Sequence, residues 1–160
     1  MNHGYAVYDL PFGRVEIDYE DNYITAIRGR CGWAEHGEES PKTIPLTDTV
    51  YRQLCEYCSG ERRAFDFPYV LKGTEFQQKV WRALCDIPYG ETRSYKEIAE
   101  AVGNPKAYRA VGMANHRNPM LIVVPCHRVI GADGSLTGYA NGVCMKENLL
   151  TMEVDFAGRQ

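Results

Sequence analysis

The run Leu121-Ile122-Val123-Val124 ends in Pro125, and Cys126, His127 and Arg128 follow at once. Four apolar residues in a row predict a buried strand. Proline has no N–H and ends the strand's hydrogen bonding. A thiol and an imidazole are thereby presented at the edge of a core. The thiolate, not the thiol, is the nucleophile, and His127 and Arg128 are the candidate groups to help Cys126 ionise. A buried cysteine that only packs is the common alternative, so the residues around this stretch must decide.

At 160 residues with 44% hydrophobic content, the chain suits one domain, or one compact domain with a smaller neighbour. No apolar run is long enough to cross a membrane. No basic-then-apolar leader opens the sequence, so a cytoplasmic location is expected, or a nuclear one in a eukaryotic source. Without a secretion signal the six cysteines are expected to be reduced thiols rather than a disulfide framework. The formal net charge of −3 hides an asymmetry. Between Lys79 and Arg128 there are eight basic residues and four acidic ones. A local basic excess of that kind is what contact with phosphates requires.

Three alternating segments, Tyr5–Tyr8, Arg14–Tyr19 and Tyr23–Ile27, predict a small antiparallel meander. Residues 31–45 read as a loop. Leu46, Val50, Leu54 and Tyr57 share one helical face that Gly60 ends. A short strand is expected near Ala64–Phe67. Thr74 with Gln77 is a capping box ahead of a helix with Phe76, Val80, Trp81 and Leu84 on its apolar face. Ser94 with Glu97 opens a second helix that Gly103 stops. Asn104 and Pro105 predict the start of a third helix, over about 105–115. Two short helices joined by a tight turn are a helix-turn-helix candidate, but from these residues alone an ordinary helical hairpin is the favoured reading. Ala132-Asp133-Gly134-Ser135 is a turn, and a last helix is expected over roughly 142–153.

The segments GTEFQQKVW, IPYGETRSY, GNPKAYRAVG, NP, PCHRVIG, LTGY and KENLLTME occur in this order between residues 73 and 153. In order and spacing they resemble the O6-alkylguanine-DNA alkyltransferases, also called methylated-DNA–protein-cysteine methyltransferases. The likeness is dense over about 74–154 and loose before it. It implies an α+β fold: an RNase H-like α/β N-terminal domain over 1–73, and a mainly helical domain with a winged helix-turn-helix over 74–160. It implies stoichiometric repair, in which the alkyl group of O6-alkylguanine in double-stranded DNA passes irreversibly to the cysteine, with O4-alkylthymine as a second candidate substrate. No cofactor, no metal and no membrane are expected, and a monomer is.

Carried over by residue, the resemblance makes Cys126 the alkyl acceptor and His127 its base, acting through a water. Glu153 orients the imidazole, and Asn118 braces the neighbouring turn. This is the nucleophile–base–orienter logic of hydrolytic triads. Tyr95, Val129, Tyr139, Ala140 and Asn141 would line the pocket for the flipped base. Arg109, Ala110, Ser94, Arg117 and Arg128 would meet DNA, with Arg109 filling the space of the extruded base from the minor groove. The chemistry agrees, because O6 of guanine is inside the base pair and the base must leave the stack to react.

His116 stands where most relatives are expected to have Gly, and Asn141 where they carry Gly or a large aromatic residue. Both departures bear on substrate range. Cys55-x-x-Cys58 reads as two packing residues of a helix, and Cys31, His36 and His3 do not reproduce a metal site. Two other functions fit fewer features. A lesion-binding protein without transfer chemistry would not need Cys126, and a cysteine hydrolase would need an oxyanion site that is not evident.

Overall fold

The computed structural model describes residues 2–29, 39–136 and 143–158. The alternating segments form strands β1 (His3–Leu10), β2 (Gly13–Glu20) and β3 (Tyr23–Gly29), antiparallel and in that order. The register pairs Ala6 with Ile17 and Ile17 with Ile27, so the apolar side chains gather on one buried face. Helix α1 (Pro45–Cys58) covers it with Val50, Leu54 and Tyr57. Tyr51 stacks on Tyr8 of β1 with ring centroids 4.4 Å apart. Gly60 ends the helix at φ +82°, a conformation that favours glycine.

The strand expected near Ala64–Phe67 does not form. The Gln53 side chain takes both backbone groups of Asp66 at 2.9 Å, where a strand neighbour would otherwise pair with them. The strand-like contact lies further on, where Tyr69 bridges Ile24.

Both capping boxes are present. Thr74 Oγ1 accepts from Gln77 N at 3.1 Å ahead of α2 (Glu75–Cys85), and Ser94 Oγ accepts from Glu97 N at 3.1 Å ahead of α3 (Tyr95–Ala101). The next helix, α4 (Tyr108–His116), begins later than Asn104-Pro105 suggests. The Ala107 N–H donates to the Asn104 carbonyl at 3.0 Å and closes a separate turn first. Helix α5 (Val143–Ala157) completes the described chain.

Leu121–Val124 is largely buried but is not a strand. Val124 N bonds Met120 O at 3.0 Å and Ile122 sits at φ +71°, so the segment coils. Coiling sends consecutive side chains in different directions, which suits a run surrounded by core; a strand would alternate them between two faces. The segment is tied to the sheet at one point, where Ile27 N donates to Pro119 O at 2.8 Å and Leu121 N donates to Ile27 O at 3.0 Å. After Pro125 comes a 3₁₀ turn, Cys126–Arg128, and then β5 (Val129–Ile130). This strand pairs in parallel with β4 (Arg93–Ser94).

The architecture is mixed α/β, with five α-helices and two small sheets among the described residues. One apolar core runs through it, joining Ile17, Ile27, Leu54 and Tyr57 to Trp81, Leu84, Met120 and Leu149. No helix among the described residues is long and apolar enough to cross a membrane.

Candidate active site

The 3₁₀ turn sets consecutive side chains of the Cys-His-Arg triplet into different surroundings. Cys126 is only 4% exposed, and its carbonyl accepts from the Asn115 side chain at 3.3 Å. His127 is wholly buried, with Nε2 at 2.7 Å from Glu153 Oε2 and at 3.4 Å from the Tyr57 hydroxyl. Its other nitrogen, Nδ1, is buried with no hydrogen-bond partner among the described residues. Arg128 reaches the same carboxylate and clamps it, with Nε to Oε1 at 2.7 Å and Nη2 to Oε2 at 3.0 Å. Its Nη1 donates to the Ile87 carbonyl at 2.8 Å.

Glu153 comes from α5 and is fully buried. Besides His127 and Arg128 it accepts from the Gly90 amide at 3.3 Å and from the Tyr57 hydroxyl. Burial alone would push its carboxyl up. The hydrogen bonds and charges of His127 and Arg128 outweigh burial and hold it at about 2. The carboxylate is therefore charged at neutral pH. His127 goes the other way: burial holds its pKa below the ordinary imidazole value although Glu153 pulls upward. A neutral imidazole donating Nε2–H to a carboxylate leaves the Nδ1 lone pair as a base.

Two further groups sit beside the thiol. Lys146 of α5 is buried, donates to the Val129 carbonyl, and lies 5.9 Å from the centre of the Tyr95 ring. Burial lowers its pKa to about 8, and the charge of Cys126 works against that. Tyr95, on the first turn of α3, has its hydroxyl pKa raised by burial and by Cys126, while a hydrogen bond with Asn115 works against the rise. Asn118 spans the turn before the site: Nδ2 donates to Val124 O at 2.7 Å and Oδ1 accepts from Met120 N at 2.9 Å.

The basic residues lie on the exposed side of α4, whose buried side carries Asn115. Arg109, Ala110 and Arg117 are exposed along α4 and its C-cap, with Tyr108, Met113 and His116 exposed beside them. The Arg109 guanidinium lies 6.0 Å from the Tyr108 ring centre. Ser94 is committed to capping α3. Arg128 needs a correction: its guanidinium is buried against Glu153 and Ile87, so it holds the site together and does not face a phosphate. Tyr139, Ala140 and Asn141 lie outside the described residues.

Sequence reasoning did not single out Tyr57, Asn115 or Lys146 for the site. Tyr57 sits in an apolar helical stripe and reads as packing. Lys146 heads KENLLTME, but a lysine on a helix is ordinarily solvated. Cys55 and Cys58 are partly buried thiols, with Cys58 pushed by burial to about 12. Among the described residues no group of three His, Cys, Asp or Glu side chains could hold a metal ion.

Residues 75–154 match the family model described as the DNA binding domain of 6-O-methylguanine DNA methyltransferase. A methylated-DNA–protein-cysteine methyltransferase of Methanosarcina barkeri is 62% identical over 102 residues, 64% of this chain and 65% of that one. The protein of the same name from Methanosarcina acetivorans is 46% identical over 158 residues, 93% of this chain and 97% of its own. The crystal structure of Mycobacterium tuberculosis OGT in complex with DNA superposes with a TM-score of 0.88 at 44% identity, covering 95% of this chain and 93% of that one.

Proposed function

The chain belongs to the methylated-DNA–protein-cysteine methyltransferase family, and on that premise we propose that it repairs O6-alkylguanine in double-stranded DNA by moving the alkyl group onto Cys126. One observation carries the reading: His127, next to the cysteine, has Nε2 2.7 Å from the buried Glu153 carboxylate and Nδ1 without a hydrogen-bond partner among the described residues, an arrangement in which Nδ1 would serve as the base.

The steps follow from these residues. His127 takes the Cys126 proton through a water, and the positive charge of Lys146 favours the thiolate that results. Sulfur then attacks the alkyl carbon in line with the departing base. The S–C bond forms, the O6–C bond breaks, and its electron pair stays on guanine, which takes up through solvent the equivalent of the proton that His127 removed from Cys126. Tyr95 meets the flipped base beside Val129, and the family resemblance assigns Tyr139, Ala140 and Asn141 to the same pocket. O4-alkylthymine is a second candidate substrate.

On the DNA side, Arg109 enters the duplex from the minor groove and replaces the extruded base. Arg117, Ala110 and the capped start of α3 at Ser94 flank it on the backbone. α3 and α4 act as the two helices of a winged helix-turn-helix. Residues 1–73 form an RNase H-like unit against a DNA-binding unit over 74–160. The protein works as a monomer in the cytoplasm, or in a nucleus if the source has one.

A thioether has no easy route back to a thiol, so each molecule reacts once. The test is a titration of protein with excess O6-methylguanine duplex, followed by intact-mass analysis and peptide mapping. Product should plateau at one equivalent, with one methyl group on the peptide containing Cys126 and none on the other five cysteines. Product beyond equivalence would point to a hydrolase, and binding without transfer to a lesion-flagging protein.

A further inference from the structure

The site includes a residue that arrives from far away in the chain. Tyr57, near the end of α1, lies seventy positions before His127. Its hydroxyl donates to Glu153 Oε2, the same oxygen that receives His127 Nε2–H, and lies 3.4 Å from that nitrogen. The side chain is wholly buried. Its ring packs against Phe65 at 5.7 Å and edge-on to Tyr89 at 6.2 Å between centroids. The hydroxyl therefore has little freedom to point elsewhere.

We propose that Tyr57 is a positioning residue for alkyl transfer, acting through Glu153 to set how strongly the carboxylate holds His127. The inference rests on the reading of His127 as the base of Cys126. Glu153 Oε2 takes three donors, from Tyr57, His127 and Arg128, while Oε1 takes Arg128 and the Gly90 amide. Each donor neutralises part of the carboxylate charge that the imidazole would otherwise feel. The other ionisable groups that face His127 are Arg128 on the same turn and Lys146 on α5, and both oppose its protonation. Tyr89 stands behind Tyr57 from the 87–90 turn, and Cys126 adjoins. Tyr57 differs from Arg128 and Lys146 in carrying no charge. Burial and the adjacent Glu153 charge keep its proton in place far above the working pH. It tempers Glu153 without adding a cation, so the imidazole stays neutral and Nδ1 stays available.

Tyr57→Phe keeps the ring packing and removes one donor. With Oε2 less satisfied, the imidazolium is favoured and the His127 midpoint should rise by about one unit. The acid limb of the single-turnover rate should move up by the same amount, approaching tenfold slower well below the wild-type midpoint and nearly unchanged at pH 8.5. The midpoint itself is read by NMR of isotope-labelled histidine in the unreactive Cys126→Ser protein, which needs no transfer chemistry. Replacing Tyr57 with 3-fluorotyrosine, a stronger donor of nearly the same size, should shift the midpoint downward and covers the case in which Tyr57→Phe folds poorly. Opposite shifts for the two replacements support the proposal. An unmoved midpoint, or a rate lowered equally at every pH, overturns it and leaves Tyr57 as packing. If the wild type transfers no alkyl group, the assigned function falls, while the NMR midpoints still decide whether Tyr57 tunes His127.

Discussion

The buried cluster at the 3₁₀ turn and the open face of α4 handle charge in opposite ways. In the cluster, Arg128 and Glu153 satisfy one another and are closed off from water. On α4, Arg109 and Arg117 project into solvent. A buried charge that loses its partner is expensive, whereas an exposed one is screened by water and salt. The first arrangement fixes geometry and proton affinity; the second is available to an incoming polyanion. Substitutions in the cluster should therefore change rate and stability without changing how binding responds to salt. Substitutions on α4 should do the reverse.

The largest effect is expected at the nucleophile. Cys126→Ser should abolish transfer while folding and DNA binding stay close to wild type, as mass spectrometry and gel shift would show. Transfer to protein in this variant would remove Cys126 from its role. Glu153→Gln should slow single-turnover transfer by roughly tenfold to ten-thousandfold, the range for losing a general base or its correct tautomer. It should also change acid stability. The Glu153 carboxyl sits at about 2 when folded, below the roughly 4.3 of an unfolded chain. Its contribution is present above the unfolded value and lost as pH falls through the folded one. Buried His127 acts in the same direction, with stability lost as pH drops below about 6.5. Urea unfolding between pH 7 and pH 3 should show a shallower decline in Glu153→Gln than in wild type.

Arg128→Ala should reduce stability by about 3–5 kcal/mol, because Glu153 would remain charged and buried with its strongest partner gone. Unfolding at pH 7 measures it, and a change under 1 kcal/mol would place Arg128 with the surface cations. Arg109→Ala should cost roughly tenfold to a hundredfold on a duplex substrate, since extrusion costs a few kcal/mol, and nothing on free O6-benzylguanine. Equal losses on both substrates would tie Arg109 to the buried cluster and break the contrast. Arg117→Ala should have the smallest effect. It should lower the slope of log affinity against log salt by about 0.9 if Arg117 meets one phosphate, with transfer at saturation unchanged.

What the sequence made legible was mostly local. The boxes at Thr74/Gln77 and Ser94/Glu97 could be read because each cap bonds a group three residues away. The three strands could be read because their alternation meets one buried face. Leu121–Val124 misleads because a continuous apolar run suits a coil inside the core as well as it suits a strand. Asn104-Pro105 misleads because a turn and a helix start use the same residues. That His127 would meet Glu153 was legible through the motifs that hold them. Tyr57 was not, because no periodicity within α1 marks which buried tyrosine will meet a carboxylate 96 positions later.

The wide spacing of the buried cluster gives the reaction a place in time. Tyr57, Cys126 and Glu153 leave the ribosome in that order, at roughly 5–20 residues per second. The 26 positions between His127 and Glu153 correspond to roughly one to five seconds of synthesis. Through that interval the nascent chain carries its thiol but not the carboxylate that orients the imidazole. On the roles proposed for these residues, Cys126 gains its oriented base only once α5 docks, so a molecule proposed to react once does not begin its chemistry half-made.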